Sequence, residues 1–260
     1  MPVNHANEME PELWRERGRS FGPAAAIYDQ VRPSYPAEAI RWALEPLGPG
    51  RHRVADIGAG TGILTRVIAS LGHETVAVEP DLWMRERLRA MTPGVELLGG
   101  SAEKMPLTDG GVDGALAGQA YHWFERGPAH RELARVIRPG GVFAAVWNER
   151  DITVPWLAEY SRIIDSVDGS GRDTGRHMDR SYGDSFEPTE RAEYRHTATC
   201  TPDSLVSLLH SRSYYLTANR ARQVELETAV RRLAQEHPDL AGAPEFPLPY
   251  ITEVYRAVRR

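Results

Sequence analysis

The chain has 260 residues, 41% of them apolar, and a formal net charge of −5; that length buries one large core, and the acidic balance gives no global attraction to nucleic acid or anionic lipid. Its one cysteine, Cys200, excludes an internal disulfide and a thiolate-rich metal site. No apolar run approaches the roughly 18 residues of a membrane span, and the polar stretch from Met1 to Ser20 has no signal-like apolar core, so a cytoplasmic protein is expected.

Residues 1–36 read as an N-terminal cap segment. Its last part, Tyr28-Asp29-Gln30-Val31-Arg32-Pro33-Ser34-Tyr35-Pro36, holds two prolines that make a stiff, extended approach to a helix over Ala37 to Leu44. Arg53 to Ile57 is a short strand that ends in an acid, Asp56, and the alternating glycines Gly58, Gly60 and Gly62. Ile63, Leu64, Val67, Ile68 and Leu71 follow at helical spacing. This is strand, tight turn, helix. Glycine lets a ligand lie almost on the backbone of such a turn. A dinucleotide site needs G-x-G-x-x-G, whose third glycine falls here on Ile63, and a carboxylate just before the turn suits a cationic ligand better than a diphosphate.

Thr75 to Val78 is a second buried strand, closed by Glu79 and Pro80. Glu79 lies about twenty residues past the glycines, where an acid at a strand end bonds ribose hydroxyls. Asp81 is the expected N-cap of a helix to Ala90, with Met84 and Leu88 on one face. Val95 to Leu98 is a third strand, followed by the loop Gly100 to Leu107. After the turn Asp109-Gly110-Gly111, Val112 to Gly118 is a fourth strand that empties into Gln119-Ala120-Tyr121-His122-Trp123-Phe124. Loops at the carboxyl ends of central strands hold ligands in open α/β sheets, so the chemistry is expected there.

Pro128 to Ile137 is an amphipathic helix, Arg138-Pro139-Gly140-Gly141 stops it, and Val142 to Trp147 is a fifth strand. A helix over Val154 to Val167 precedes a polar, glycine-bearing connection, 168–190, of a length expected of a lid loop. Arg191 to Thr199 and Tyr250 to Val258 read as strands, and Pro202 to Ser211 and Arg220 to Glu236 as helices. Strands alternating with helices imply right-handed parallel crossovers, hence a doubly wound α/β sheet.

The run from Asp56 to Gly62 resembles the first motif of the class I S-adenosylmethionine (SAM) dependent methyltransferases. Tyr28-x-x-x-Arg32-Pro-x-Tyr35-Pro36 and Leu133-x-x-Val-Ile-Arg-Pro-Gly-Gly141 resemble the type 11, trans-aconitate-methyltransferase-like branch. Specific motifs cover roughly residues 21–150, and beyond them only the element order matches. The resemblance implies a single domain, 1–260, with a seven-stranded Rossmann-like sheet of six parallel strands and an antiparallel seventh. It implies SAM as cofactor and S-adenosylhomocysteine as product. Tyr28 and Arg32 would reach the methionine end of SAM, Asp56, Gly58 and Gly60 would cradle it, Glu79 and Pro80 would take the ribose, Ser101, Ala102 and Glu103 would read the adenine, and Gln119 would complete the site.

The family reaction is in-line displacement at the sulfonium methyl, in which the protein mainly aligns reactants and excludes water. His122 is the candidate base, since imidazole titrates near neutral pH, or a pocket wall; Tyr35, Tyr121, Trp123 and Trp147 are candidate substrate-pocket rings. Gln119-Ala120-Tyr121-His122 does not match the Asn/Asp-Pro-Pro-Tyr of base methylation. Only Asp151 with Glu149 follows strand five, and His177 and Asp179 have no partners at ligand spacing, so no metal is expected. The expected acceptor is an O or N atom of a small metabolite, in secondary metabolism, without nucleic acid or membrane; the oligomeric state is open. Tyr182, Phe186, Tyr214 and Tyr215, with Arg176, Arg180 and Arg212, are expected to cap the pocket. Three alternatives stand beside this reading: a SAM-binding protein that does not methylate, a nicotinamide-dependent oxidoreductase, against which Ile63 argues, and a pure interaction protein.

Overall fold

The computed structural model describes residues 29–165 and 181–260; Tyr28, Arg176, His177, Asp179 and Arg180 lie outside them. Helix α1 (Ala37–Leu44) leads into β1 (Arg53–Ile57), α2 (Ile63–Ser70), β2 (Glu74–Val78), α3 (Leu82–Met91), β3 (Glu96–Leu98) and β4 (Val112–Gly118). Then come α4 (Arg126–Val136), β5 (Ile137–Arg150), α5 (Pro155–Asp165), β6 (Glu190–Cys200), α6 (Pro202–His210), the short α7 (Ser213–Leu216), α8 (Arg220–Glu236) and β7 (Phe246–Val258).

The seven strands form one sheet in the order β3-β2-β1-β4-β5-β7-β6. Strand β7 runs antiparallel to both of its neighbours, and the other six are parallel to one another. The order turns back on itself between β1 and β4, so the two loops that leave their carboxyl ends diverge to opposite sides and open a crevice. The glycine turn and the Gln119 loop are those two loops.

Alternation along β1 shows why the strands are apolar throughout. Ala55 and Ile57 join Leu133 and Val136 of α4 on one face, while Val54 joins Ile40 of α1 and Ile68 of α2 on the other. Both faces are covered, as a mainly parallel sheet requires. A separate apolar cluster unites α5, α6 and α8 with Phe246, Leu248 and Tyr250 of β7.

Strands β5 and β7 begin several residues before the sequence expectation. Arg138 to Gly141 do not separate helix from strand: Ile137 already pairs with Val112, the next residues bulge, and pairing resumes at Gly114 with Val142. Strand β7 begins at Phe246, before Tyr250, although Pro247 and Pro249 lie in it. Proline is confined to strand edges because it cannot donate. Strand β5 ends at Arg150 opposite Tyr250, so at the prolines β7 pairs with β6 alone.

Two aromatic side chains expected to cap the pocket are core instead. Tyr182 and Phe186 are buried against Phe143, and the Tyr182 hydroxyl donates to the Tyr255 carbonyl at 2.9 Å. A sequence that places rings next to a long connection does not say which way they turn. Among the described residues no helix is long and apolar enough to cross a membrane, and no group of three or more His, Cys, Asp or Glu side chains could hold a metal.

Candidate active site

The glycine turn is tied to β2 through Gly58 N–H and Ala59 N–H, which donate to the Val78 carbonyl at 2.8 and 3.2 Å. Gly58 has φ of 68°, and a Cβ there would fall 2.8 Å from the Ala120 Cβ of the loop after β4. Glycine is therefore what lets the two crevice loops touch. At Gly60, φ is 57° and a Cβ would meet nothing within 4 Å, so this backbone faces open space. The left-handed backbone and the clash together should make Gly58→Ala roughly 2–4 kcal/mol less stable. An unchanged urea midpoint would show that the Ala120 loop moves aside freely.

Asp56, 1% exposed, accepts a hydrogen bond from the Thr65 hydroxyl of α2 at 2.6 Å. Its other oxygen, Oδ1, is buried without a hydrogen-bond partner among the described residues. Burial, with repulsion from Glu79 behind it, pushes this carboxyl up to about 7 against the pull of Thr65. Glu79, 6% exposed, ends β2 and accepts from Gly60 N–H at 2.8 Å and Asp81 N–H at 2.9 Å. Burial also raises its carboxyl, while those two amides and Arg85 oppose the shift. Glu79 thus clasps the glycine turn to the start of α3, whose N-cap is Asp81, accepting from Met84 N–H at 2.9 Å. Arg85 donates to the carbonyls of Glu79 and Pro80 at 2.7 and 2.9 Å.

Beside Glu79, whose N–H donates to the Leu98 carbonyl at 3.1 Å, β3 runs into the Ser101 to Glu103 turn. Ala102 is buried, and the Glu103 carboxylate accepts from Glu125 N–H at 2.8 Å. Arg135 of α4 holds the rest of this loop by the carbonyls of Leu107 and Met105, at 2.7 and 3.0 Å.

Across the crevice, Gln119 has φ of 52°, a left-handed conformation rare outside glycine. Such strain persists where the surroundings fix it and collects at functional sites. Its N–H donates to the Val146 carbonyl and its side-chain amide to the Asn148 carbonyl, both at 2.8 Å. Tyr121 to Trp123 then form one 3₁₀ turn. His122 is half-buried, and its Nδ1 accepts from the Trp147 indole N–H at 3.3 Å. Burial, then the Arg32 guanidinium, lowers its pKa to about 4. The ring is neutral near neutral pH, with Nδ1 engaged by the indole and the proton on Nε2, and so low a pKa makes it a weak base. In an NMR titration His122 should hold the Nε2–H tautomer down to about pH 5; a midpoint near the ordinary histidine value would return it to the base role.

The other rings divide. Trp123 is half-buried beside His122, with ring centroids 4.9 Å apart. Tyr121 is fully buried, its hydroxyl 2.8 Å from His130 Nε2, and Trp147 packs edge-on against Tyr121 and Tyr255. Those two belong to the core, with only the indole N–H reaching the loop. Tyr35 is buried under the loop, where a Cβ on Gly118 would come within 2.7 Å of its hydroxyl.

Residues 29–36 lie as a strap fastened at three points. Asp29 accepts from Arg66 of α2 at 2.7 Å and Arg87 of α3 at 3.2 Å. Arg66 also donates to the Thr61 carbonyl in the glycine turn at 3.0 Å. Arg32 donates to the hydroxyl and the carbonyl of Ser211, each at 2.9 Å. Asn148 donates to the Ser34 carbonyl at 3.1 Å, and its Oδ1 accepts from Thr252 at 2.6 Å. Sequence reading missed Asp29, Arg66, Arg87 and Asn148, because partners this far apart in the chain leave no local pattern.

A family model described as a methyltransferase domain matches residues 55–145, the span from β1 into β5. A methyltransferase of Mycobacterium tuberculosis is 40% identical over 244 residues, 94% of this chain and 97% of the relative. A malonyl-[acyl-carrier protein] O-methyltransferase of Methylococcus capsulatus is 36% identical over 135 residues, 49% of each chain. The structure of a type II methyltransferase from Anaeromyxobacter dehalogenans matches with a TM-score of 0.59 at 26% identity, over 88% of this chain and 97% of that one. Likeness at 40% over nearly the whole of both chains, on a sheet whose crevice is built by a glycine turn and a buried acid pair, means that the chain belongs to the class I SAM-dependent methyltransferase family.

Proposed function

We propose that the protein transfers a methyl group from SAM to an oxygen or nitrogen atom of a small molecule. The observation that carries this reading is the β1–β4 crevice, where the open backbone at Gly60 stands between Glu79 and the buried, half-satisfied carboxyl of Asp56. A cationic ligand with a diol fits that donor set better than a diphosphate, because both side chains that face the turn are acids. When bound, SAM supplies a methyl group already activated as a sulfonium.

The chain's own residues then bind, orient and exclude water. Asp56 and the backbone of Gly58 and Gly60 would hold the amino-acid end, Glu79 with Pro80 the ribose, and Ser101 to Glu103 the adenine edge. Gln119 and His122 would wall the crevice beside the methyl group, with Trp123, under the strap of residues 29–36. The O-methyltransferase among the relatives supports oxygen as the acceptor atom. The acid-lined turn and the absence of a positive net charge favour a small acceptor over nucleic acid. Calorimetry decides the cofactor: S-adenosylhomocysteine should bind in the micromolar range and NADH should not, and the reverse would overturn the reading.

A further inference from the structure

Two walls of the crevice meet on one buried residue near the end of β5. Asn148 is 8% exposed and stands opposite Thr252 in the β5–β7 ladder. Its main-chain carbonyl accepts from the Gln119 side-chain amide at 2.8 Å, which holds the left-handed loop after β4. Its side chain holds the strap: Nδ2 donates to the Ser34 carbonyl at 3.1 Å and lies 3.4 Å from the Pro33 carbonyl. A carbonyl only accepts, so the nitrogen of the carboxamide must face the strap. Oδ1 is then the atom fixed by the neighbouring strands, accepting from the buried Thr252 hydroxyl of β7 at 2.6 Å, with His196 Nε2 of β6 3.3 Å away.

The strap is held there between two other contacts. Arg32, one residue before Pro33, bonds Ser211 just after α6, and Tyr35, one residue after Ser34, is buried where Gly118 leaves room for its hydroxyl. Upstream, Asp29 shares Arg66 with the Thr61 carbonyl of the glycine turn. The strap thus runs from the glycine turn to the end of β5, where it is fastened to the same residue that Gln119 bonds.

We infer that Asn148 is a positioning residue: its carboxamide, oriented by Thr252, sets the strap against the Gln119 wall and so shapes the amino-acid end of the cofactor site. That a cofactor occupies this end rests on the methyltransferase reading; the fastening of the strap to β5 does not. Asn148→Asp keeps the main-chain carbonyl for Gln119 and an acceptor for Thr252, and replaces the donor that faces Ser34 by an oxygen that repels its carbonyl. Thr252→Val leaves Asn148 in place but removes the hydroxyl that orients it, and Thr252→Ser returns that hydroxyl.

The test is calorimetry of the full chain with S-adenosylhomocysteine and with methylthioadenosine, which lacks the amino-acid end. Asn148→Asp should weaken S-adenosylhomocysteine about tenfold or more, Thr252→Val should weaken it in the same direction, and Thr252→Ser should bind as wild type does. Methylthioadenosine should bind wild type and all the variants alike, because Glu79 and the Ser101 to Glu103 turn are carried by β2 and β3. The fastening itself is read by NMR on the unliganded, isotope-labelled protein. The side-chain amide signal that Asn148→Asp deletes should exchange with water slowly in wild type, fast in Thr252→Val and slowly again in Thr252→Ser. Unchanged S-adenosylhomocysteine affinity in both Asn148→Asp and Thr252→Val, or an equal loss for both ligands, would overturn the inference. Should wild type fail to bind S-adenosylhomocysteine, the methyltransferase reading falls, and amide exchange still decides the fastening, which rapid exchange in wild type would refute.

Discussion

Glu79→Ala is expected to weaken S-adenosylhomocysteine binding by about 100-fold or more and to cost the unliganded protein about 2–4 kcal/mol, because each charge-assisted hydrogen bond contributes about 1.5–3 kcal/mol. The two effects share one geometry. A carboxylate has about four acceptor sites, and two are spent here on Gly60 N–H and Asp81 N–H. The remaining two match a pair of vicinal ribose hydroxyls. Truncation to alanine removes the ribose acceptors and strands two backbone donors at the base of the turn. Glu79→Gln separates the roles: its one carbonyl oxygen retains part of the clasp, while its amide opposes a backbone N–H. Stability should recover in part and affinity much less. Calorimetry beside urea unfolding reads both, and an alanine variant with wild-type affinity would remove Glu79 from the cofactor site.

The parts of the molecule that sequence made legible are those where residue type and backbone conformation are bound together. Gly58 needs glycine for its close approach to Ala120, and Gly60 sits at a positive φ that glycine adopts at least cost. Asp81 sits as an N-cap because only a short acceptor side chain reaches back to the third amide. The apolar, two-sided strands around β1 could be read because burial on both faces leaves an unbroken apolar run.

What sequence could not supply is partnership. Asp29 looks like one more surface acid until Arg66 and Arg87 close on it from two helices. Aromatic residues carry the same letter whether they line a pocket or fill a core, so Tyr121, Trp147, Tyr182 and Phe186 read from sequence as pocket rings although all four are buried in the core. The leader motif points Arg32 toward the cofactor, and its hydrogen bonds to Ser211 bring it toward α6 as well. The prolines of β7 hid the start of that strand, since nothing local reveals that its neighbour has already ended.

Asp56 yields the second large prediction, a loss of stability with rising pH that one substitution removes. An unfolded aspartate titrates at about 3.8, and burial lifts Asp56 to about 7 in the folded chain. Between those values the folded state holds a proton that the unfolded state has lost, so stability falls as pH rises. The contribution is complete below about pH 4 and is lost as pH climbs through about 7, a difference of about 4 kcal/mol at 1.36 kcal/mol per pKa unit. Other groups titrate across this range, so the measurement is a difference: urea unfolding of wild type and Asp56→Asn from about pH 5 to about pH 8. Asparagine retains an acceptor for Thr65 and cannot ionise, so it should be the relatively more stable chain at the alkaline end, with the gap closing toward acid. Parallel profiles would mean that the buried Oδ1 finds a partner the structure does not give it. The liganded protein supplies the complementary result. A cationic cofactor beside Asp56 favours the ionised carboxyl, so binding should release a proton near neutral pH and flatten the wild-type slope, whereas Asp56→Asn should bind more weakly and release none.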